Sequence, residues 1–256
     1  MMKLRLYLRM LHLLAIIGLG TLLAGLVNLL ERLLRHDLMG LRQRLSRWFF
    51  ARMSNALPFR LSVHGELPQE PMLWVSNHIS WTDIPLLGML APLSFLSKAE
   101  VRSWPLAGWL AQQAGTLFIR RGAGDSSLLN QQLGQHLEQG RPLLIFPEGT
   151  TSDGQVLRTF HGRLLSSAIE SGVALQPVAI RYLRDGQPCM ITPFIGDDDL
   201  LSHLLRLLAS ERIDVQIRLL QPIASATLNR NQLARRAHAA VASALAVDGE
   251  TRARAA

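Results

Sequence analysis

Apolar and polar positions follow one rule in the first 57 residues and another in the rest. Residues 10–30 hold no charged side chain when His12 is neutral, a run of 21 residues. That predicts an apolar helix close to the length that crosses a hydrocarbon core. Lys3, Arg5 and Arg9 precede it and Glu31, Arg32 and Arg35 follow. Both flanks are basic, so the positive-inside bias does not orient the segment. The run is long, no small-x-small site follows it and Glu31-Arg32 comes next, which argues against a cleaved signal peptide. Gly18, Gly20 and Gly25 permit tight helix packing or a bend, and a spanning helix and a re-entrant hairpin both remain open. In residues 38–57, Leu41, Leu45, Trp48, Phe49 and Met53 recur at mostly helical spacing with Arg42, Arg44, Arg47 and Arg52 interleaved. Such a helix suits either the headgroup plane or a buried seat with a solvated face. The division expected is a membrane-anchoring helical module, 1–57, and a second domain, 58–256.

Beyond Pro58 and Pro68 the pattern becomes short apolar runs alternating with helical stretches. Strands are expected at 73–75, 93–96, 116–119, 143–146, 178–182, 190–194 and 213–219. Helices are expected at 84–90, 104–114, 128–137, 164–170, 200–208 and 229–247. This rhythm predicts an α/β fold with a mixed, mostly parallel sheet flanked by helices, preceded by the membrane-attached helical segment.

Composition narrows the partners. With 27 Lys and Arg against 19 Asp and Glu, the net charge of +8 suits anionic lipid, anionic substrates or nucleic acid. There are five Trp and two Tyr, and no run interleaves arginines with aromatics as a base-stacking platform does, which sets nucleic acid aside. Cys189 is the only cysteine, so neither an intrachain disulfide nor a multi-thiolate zinc site can form. The histidines show no metal-ligand spacing, and neither a Gly-x-Ser-x-Gly elbow nor a Gly-rich loop ending in Lys-Ser/Thr is present.

Candidate chemistry lies at Asn77-His78-Ile79-Ser80-Trp81-Thr82-Asp83, after the apolar run 72–75, and at Phe146-Pro147-Glu148-Gly149-Thr150, after another. On an ideal helix, five positions separate two side chains by about 140°. A contact between His78 and Asp83 therefore needs one partner in the loop or cap. Asp83 could then fix the histidine tautomer and leave the other ring nitrogen to remove a proton. A helix-capping aspartate beside a satisfied loop histidine is the bland alternative, and Pro147-Glu148-Gly149 alone reads as a turn.

Four blocks in order over residues 73–181 resemble those of the bacterial lysophospholipid acyltransferases of the 1-acylglycerol-3-phosphate acyltransferase type. Asn77-His78 through Asp83 resembles the family's Asn-His-x4-Asp. Gly115-Thr116-Leu117-Phe118-Ile119-Arg120-Arg121 is similar to its Gly-x-x-Phe-Ile-x-Arg, and Phe146 through Thr150 matches Phe-Pro-Glu-Gly-Thr in full. Leu175-Gln176-Pro177-Val178-Ala179-Ile180 resembles the last block, with Gln176 inserted. The resemblance implies acyl transfer from acyl carrier protein or coenzyme A to a lysolipid hydroxyl, directly and without an acyl-enzyme. It implies His78 as base, Asp83 as its orienting carboxylate, and Arg120, Glu148, Gly149 and Thr150 as acceptor-binding residues. Arg120 would grip the headgroup, while Glu148 would bond an acceptor hydroxyl or hold Arg120. Backbone N–H groups around the last block would serve the oxyanion. Neither a cofactor nor a metal is called for, the thioester being a substrate.

Departures bear on the acceptor. Thr151 stands where phosphatidic-acid-forming members have Arg, and Phe160-His161-Gly162-Arg163 stands where they carry Phe-Lys-x-Gly. Arg158 and Arg163 are the nearby cations that could compensate; otherwise the headgroup is less anionic than a phosphate monoester. The resemblance therefore places lysophosphatidate first and lyso-ornithine lipid as the alternative, with a non-catalytic lipid-binding protein below both. Expected partners are the acyl donor, the lysolipid and membrane lipids. The expected location is the bacterial inner membrane with the catalytic domain facing the cytoplasm.

Overall fold

The structure, a computed structural model, describes residues 2–119 and 126–253. In chain order it holds α1 (Met2–Leu34), α2 (Met39–Ala56), β1 (Phe59–His64), β2 (Leu73–Ser76), α3 (Asp83–Gly88), β3 (Ser94–Lys98), α4 (Ala107–Gln113) and β4 (Leu117–Ile119). Then follow α5 (Ser126–Glu138), β5 (Leu143–Ile145), α6 (Ser166–Glu170), β6 (Leu175–Arg184), β7 (Gln187–Pro188), α7 (Leu200–Ala209), β8 (Ile213–Leu219) and α8 (Arg230–Ala253). The chain divides into two compact units. The first comprises Met1–Phe59, Thr82–Ala123 and Asp198–Glu211, the second Arg60–Trp81, Gly124–Asp197 and Arg212–Ala256.

In the first unit α1 packs against α2 and α7. Leu13, Ile16 and Val27 are buried, whereas Leu11, Leu22 and Leu29 on the same helix stay 67%, 68% and 52% exposed. By length and composition α1 qualifies to cross a membrane, with a mean hydropathy of 2.3 over its most apolar window. An apolar helix that leaves so many leucines uncovered suits membrane attachment. The helix is longer than the uncharged run because its terminal charges find partners. Arg9 donates to the Leu208 and Ser210 carbonyls at 2.8 and 2.7 Å, satisfying the end of α7. Arg42 on α2 binds Glu31 from Nε at 2.8 Å and also donates to Asn28 and Gln113. Phe50 of α2 lies over Gly88 of α3, where an added Cβ would stand 2.5 Å from the ring. It meets Phe95 edge-on, centroids 5.7 Å apart. β3 and β4 pair in parallel, Leu96 opposite Leu117.

The second unit is built on strands in the order β1-β8-β6-β2-β5, with β7 on β6. β2 runs parallel to both β5 and β6, with Leu73 opposite Leu143 and Leu175. β6 runs antiparallel to β8, so the sheet is mixed. Leu73, Trp74, Val75, Leu143, Leu144 and Ile145 are all essentially inaccessible. Strands buried on both faces read as continuous apolar runs, which is why β2 and β5 were evident from the sequence. In β8, Ile213, Val215, Ile217 and Leu219 are buried and the residues between them are not. α8 packs against β6.

One expected strand is absent. Residues 190–194 are irregular, and the segment that returns along β6 pairs with it only at Gln187–Pro188. A two-residue turn at Asp185-Gly186, both at positive φ, reverses the chain after β6. After Cys189 bonds Tyr182, Pro193 offers no N–H and the Phe194 N–H is drawn to Ile79 instead. β1 was not anticipated.

Candidate active site

Parallel pairing of β2 with β6 ends at Ser76 opposite Val178. Two residues further along β6, the side chain of Asn77 takes over. Its Nδ2 donates to the Ile180 carbonyl at 2.9 Å and its Oδ1 accepts from the Ile180 N–H at 2.9 Å. The amide thus imitates one more ladder step while the main chain turns away from the sheet. Both Ile180 groups are buried and would otherwise lack a partner on that side.

His78 follows, half-buried, with its backbone held at both ends. Its N–H donates to Glu148 Oε1 at 2.7 Å, and its carbonyl accepts from Ser152 N at 2.8 Å and Ser152 Oγ at 3.2 Å. Its ring stacks on Phe146, with centroids 3.8 Å apart and planes 10° from parallel. The plane of the imidazole is therefore set by the residue after β5.

The loop after β5 is shaped by a β-turn. Gly149 N–H donates to the Phe146 carbonyl at 3.0 Å, and Gly149 has a φ of +73°, which glycine adopts without strain. Glu148 at the turn's centre is buried, and its second oxygen accepts from the Arg158 N–H at 3.2 Å. Two charge-assisted backbone bonds to one carboxylate make it a brace between the His78 loop and the segment running to Arg158. Thr151 Oγ1 donates to the Phe194 carbonyl, and the Phe194 N–H donates to the Ile79 carbonyl at 2.9 Å.

Of the residues singled out by sequence, His78, Glu148, Gly149 and Thr150 gather in the second unit, Thr150 exposed at the surface. Asp83 is the first residue of α3 in the first unit and is fully buried. Arg120 lies outside the described residues. Arg158 and Arg163 are exposed. The last block, expected to supply oxyanion donors, is an interior strand. Leu175 N–H is bonded to Ile223 and Ile180 N–H to Asn77, Pro177 has none, and β2 pairs along residues 175–178 and β8 from 178 onward, so the block is framework. Sequence reasoning missed the roles of Asn77, Ser152 and Phe194. Only Asn77 carried a signal, as an amide at the exact end of an apolar strand. Among the described residues no group of three His, Cys, Asp or Glu is placed to hold a metal.

An imidazole with its backbone bonded on both sides and its ring face covered presents its edge in one direction. Such a group is suited to take a proton from a bound hydroxyl.

The Acyltransferase family profile matches residues 60–181. The chain is 64% identical to a lyso-ornithine lipid O-acyltransferase of Pseudomonas aeruginosa over 96% of this chain and 95% of the relative. It is 35% identical to a lyso-ornithine lipid O-acyltransferase of Brucella abortus over 77% of this chain and 79% of that one. The crystal structure of the 1-acyl-sn-glycerophosphate acyltransferase PlsC from Thermotoga maritima matches with a TM-score of 0.69 and 23% identity, covering 96% of each chain. That likeness is one of fold.

Proposed function

As this chain belongs to the bacterial lysophospholipid and lyso-ornithine-lipid O-acyltransferase family, we propose that it acylates the free hydroxyl of lyso-ornithine lipid to give ornithine lipid. Transfer of an acyl group to a lysolipid is the activity of the family, and lyso-ornithine lipid is the acceptor proposed. The observation that carries it is the 64% identity with the Pseudomonas aeruginosa protein along nearly the whole of both chains. Lysophosphatidate, placed first by the four blocks, gives way to the alternative. Thr151 supports this order: its hydroxyl is turned to the Phe194 carbonyl, and no guanidinium stands at this position to meet a phosphate monoester.

In the mechanism that fits, His78 accepts the proton of the acceptor hydroxyl while that oxygen attacks the thioester carbonyl. The tetrahedral intermediate collapses, the C–S bond breaks and the thiolate of acyl carrier protein or coenzyme A leaves. The proton held by the imidazolium goes to that sulfur. Asp83 is the carboxylate assigned to the other ring nitrogen. For the acceptor-side arginine, the last position of Gly-x-x-Phe-Ile-x-Arg falls on Arg121 rather than Arg120, and the assignment moves there. Glu148, Gly149 and Thr150 remain the assigned acceptor-side residues. Glu148 acts there at least as the brace beneath the His78 peptide. The catalytic domain is assigned to the cytoplasmic face of the inner membrane.

The test offers purified full-length protein lyso-ornithine lipid and lysophosphatidate side by side, with each thioester donor. Ornithine lipid should form faster by at least about tenfold, a preference of about 1.4 kcal/mol. Dominant formation of phosphatidic acid would refute the acceptor, and full activity of His78→Ala would refute the base.

A further inference from the structure

We infer that Thr151, acting through a strap formed by residues 189–196, is a positioning residue that sets the seat of His78. This rests on the reading of His78 as the base. Three loops meet in the second unit: the one after β2 that bears His78, the one after β5, and the strap that follows β7. Each pair is tied. The first two are joined by His78 N–H to Glu148 and by Ser152 to the His78 carbonyl. The strap is joined to the first by Phe194 N–H to the Ile79 carbonyl at 2.9 Å, and to the second by Thr151 Oγ1 to the Phe194 carbonyl. Phe194 thus spends both of its peptide groups on the site loops.

The strap is itself fixed. Thr192 and Pro193 are buried, and Thr192 Oγ1 donates to the Cys189 carbonyl at 3.0 Å. None of it lies within the four sequence blocks. A ring of three ties is stiffer than any two of them, since releasing one lets the joined pair pivot about the other. The Thr151 tie is the one that a nearly isosteric side chain removes. Its neighbour Ser152 holds the His78 carbonyl, so slack at 151 passes through a single peptide to the base.

Thr151→Val removes the hydroxyl and keeps the shape; Thr151→Ser keeps the hydroxyl. With full-length protein in detergent, Thr151→Val should lower kcat about 3- to 10-fold, the rate equivalent of one hydrogen bond, and change KM for the acceptor less than about 2-fold. Thr151→Ser should restore kcat to within about 2-fold of the unsubstituted protein. The ratios are read with lyso-ornithine lipid and with lysophosphatidate, so a wrong acceptor would leave this test intact, whereas an inactive His78 reading fails separately in His78→Ala. Unchanged kcat in Thr151→Val overturns the inference. So does an equal loss in the valine and serine variants, which would mark packing, or a raised KM at constant kcat, which would mark a substrate contact. If Thr151→Val does not fold, Thr151→Ala against Thr151→Ser gives the same comparison.

Discussion

Replacing Asn77 tests the proposition that a side-chain amide extends the sheet beneath the site. Asn77→Ala leaves the Ile180 N–H and carbonyl, both buried, without their partner on the β2 side. An unmet buried polar group costs about 1–3 kcal/mol, so the pair should cost roughly 2–6 kcal/mol, a large share of an ordinary domain's stability. Asn77→Asp separates the two bonds. A carboxylate still accepts from the Ile180 N–H, but it sets a second acceptor against the Ile180 carbonyl. Ionisation is then disfavoured in the folded state, and the folded pKa rises above the unfolded value of about 3.9. The variant's deficit should therefore be full above the folded pKa and shrink as pH falls toward about 3.9, where a protonated carboxyl regains a donor. Urea titrations of detergent-solubilised protein, followed by tryptophan fluorescence at several pH values, measure both effects against the unsubstituted protein. A cost under about 0.5 kcal/mol for Asn77→Ala, or an Asn77→Asp deficit that widens on acidification, would refute the reasoning.

Glu148→Gln replaces one backbone-facing oxygen by an NH2 group, so one of the His78 and Arg158 N–H groups meets a donor; kcat should fall about tenfold or more, and a rate equal to the unsubstituted enzyme would count against the brace. His136 is buried on α5, and burial, followed by the Arg141 charge, lowers its pKa from 6.5 to about 4. The unfolded chain binds this proton first, so the contribution is complete above pH 6.5 and is lost as pH falls toward 4, by about 3 kcal/mol at most. His136→Leu should flatten that part of the stability profile, and an unaltered profile would show another group at work. Asparagine at Leu11, Leu22 and Leu29 together should move much of the protein from the membrane pellet to the supernatant without lowering its melting temperature in detergent; undiminished recovery in the pellet would assign attachment elsewhere.

The parts of this molecule that were legible in its sequence are those in which one short segment carries both its structural cause and its chemistry. β2 and β5 announce themselves because burial on both faces demands unbroken apolar runs, and the turn after β5 because Pro147, Glu148 and Gly149 stand in order. Residues 190–194 misled because Met190-Ile191-Thr192 has strand composition, while the deciding facts lie at Pro193 and at an Ile79 carbonyl more than a hundred positions away. The ties that seat His78 were illegible for the same reason. Asn77 and Ile180 are 103 residues apart, Thr151 and Phe194 43, and one end of each bond is a main-chain atom that every residue type possesses. Side-chain identity can show that a group is available, but only the fold shows which carbonyl receives it. Thr151 is the sharpest instance. Its sequence position raises the question of what replaces a cation near the acceptor, and its bond to Phe194 answers that the position serves the scaffold of the base. Kinetics at this position therefore separates a loss of headgroup recognition from a loss of alignment: the first would appear in KM for the acceptor and the second in kcat.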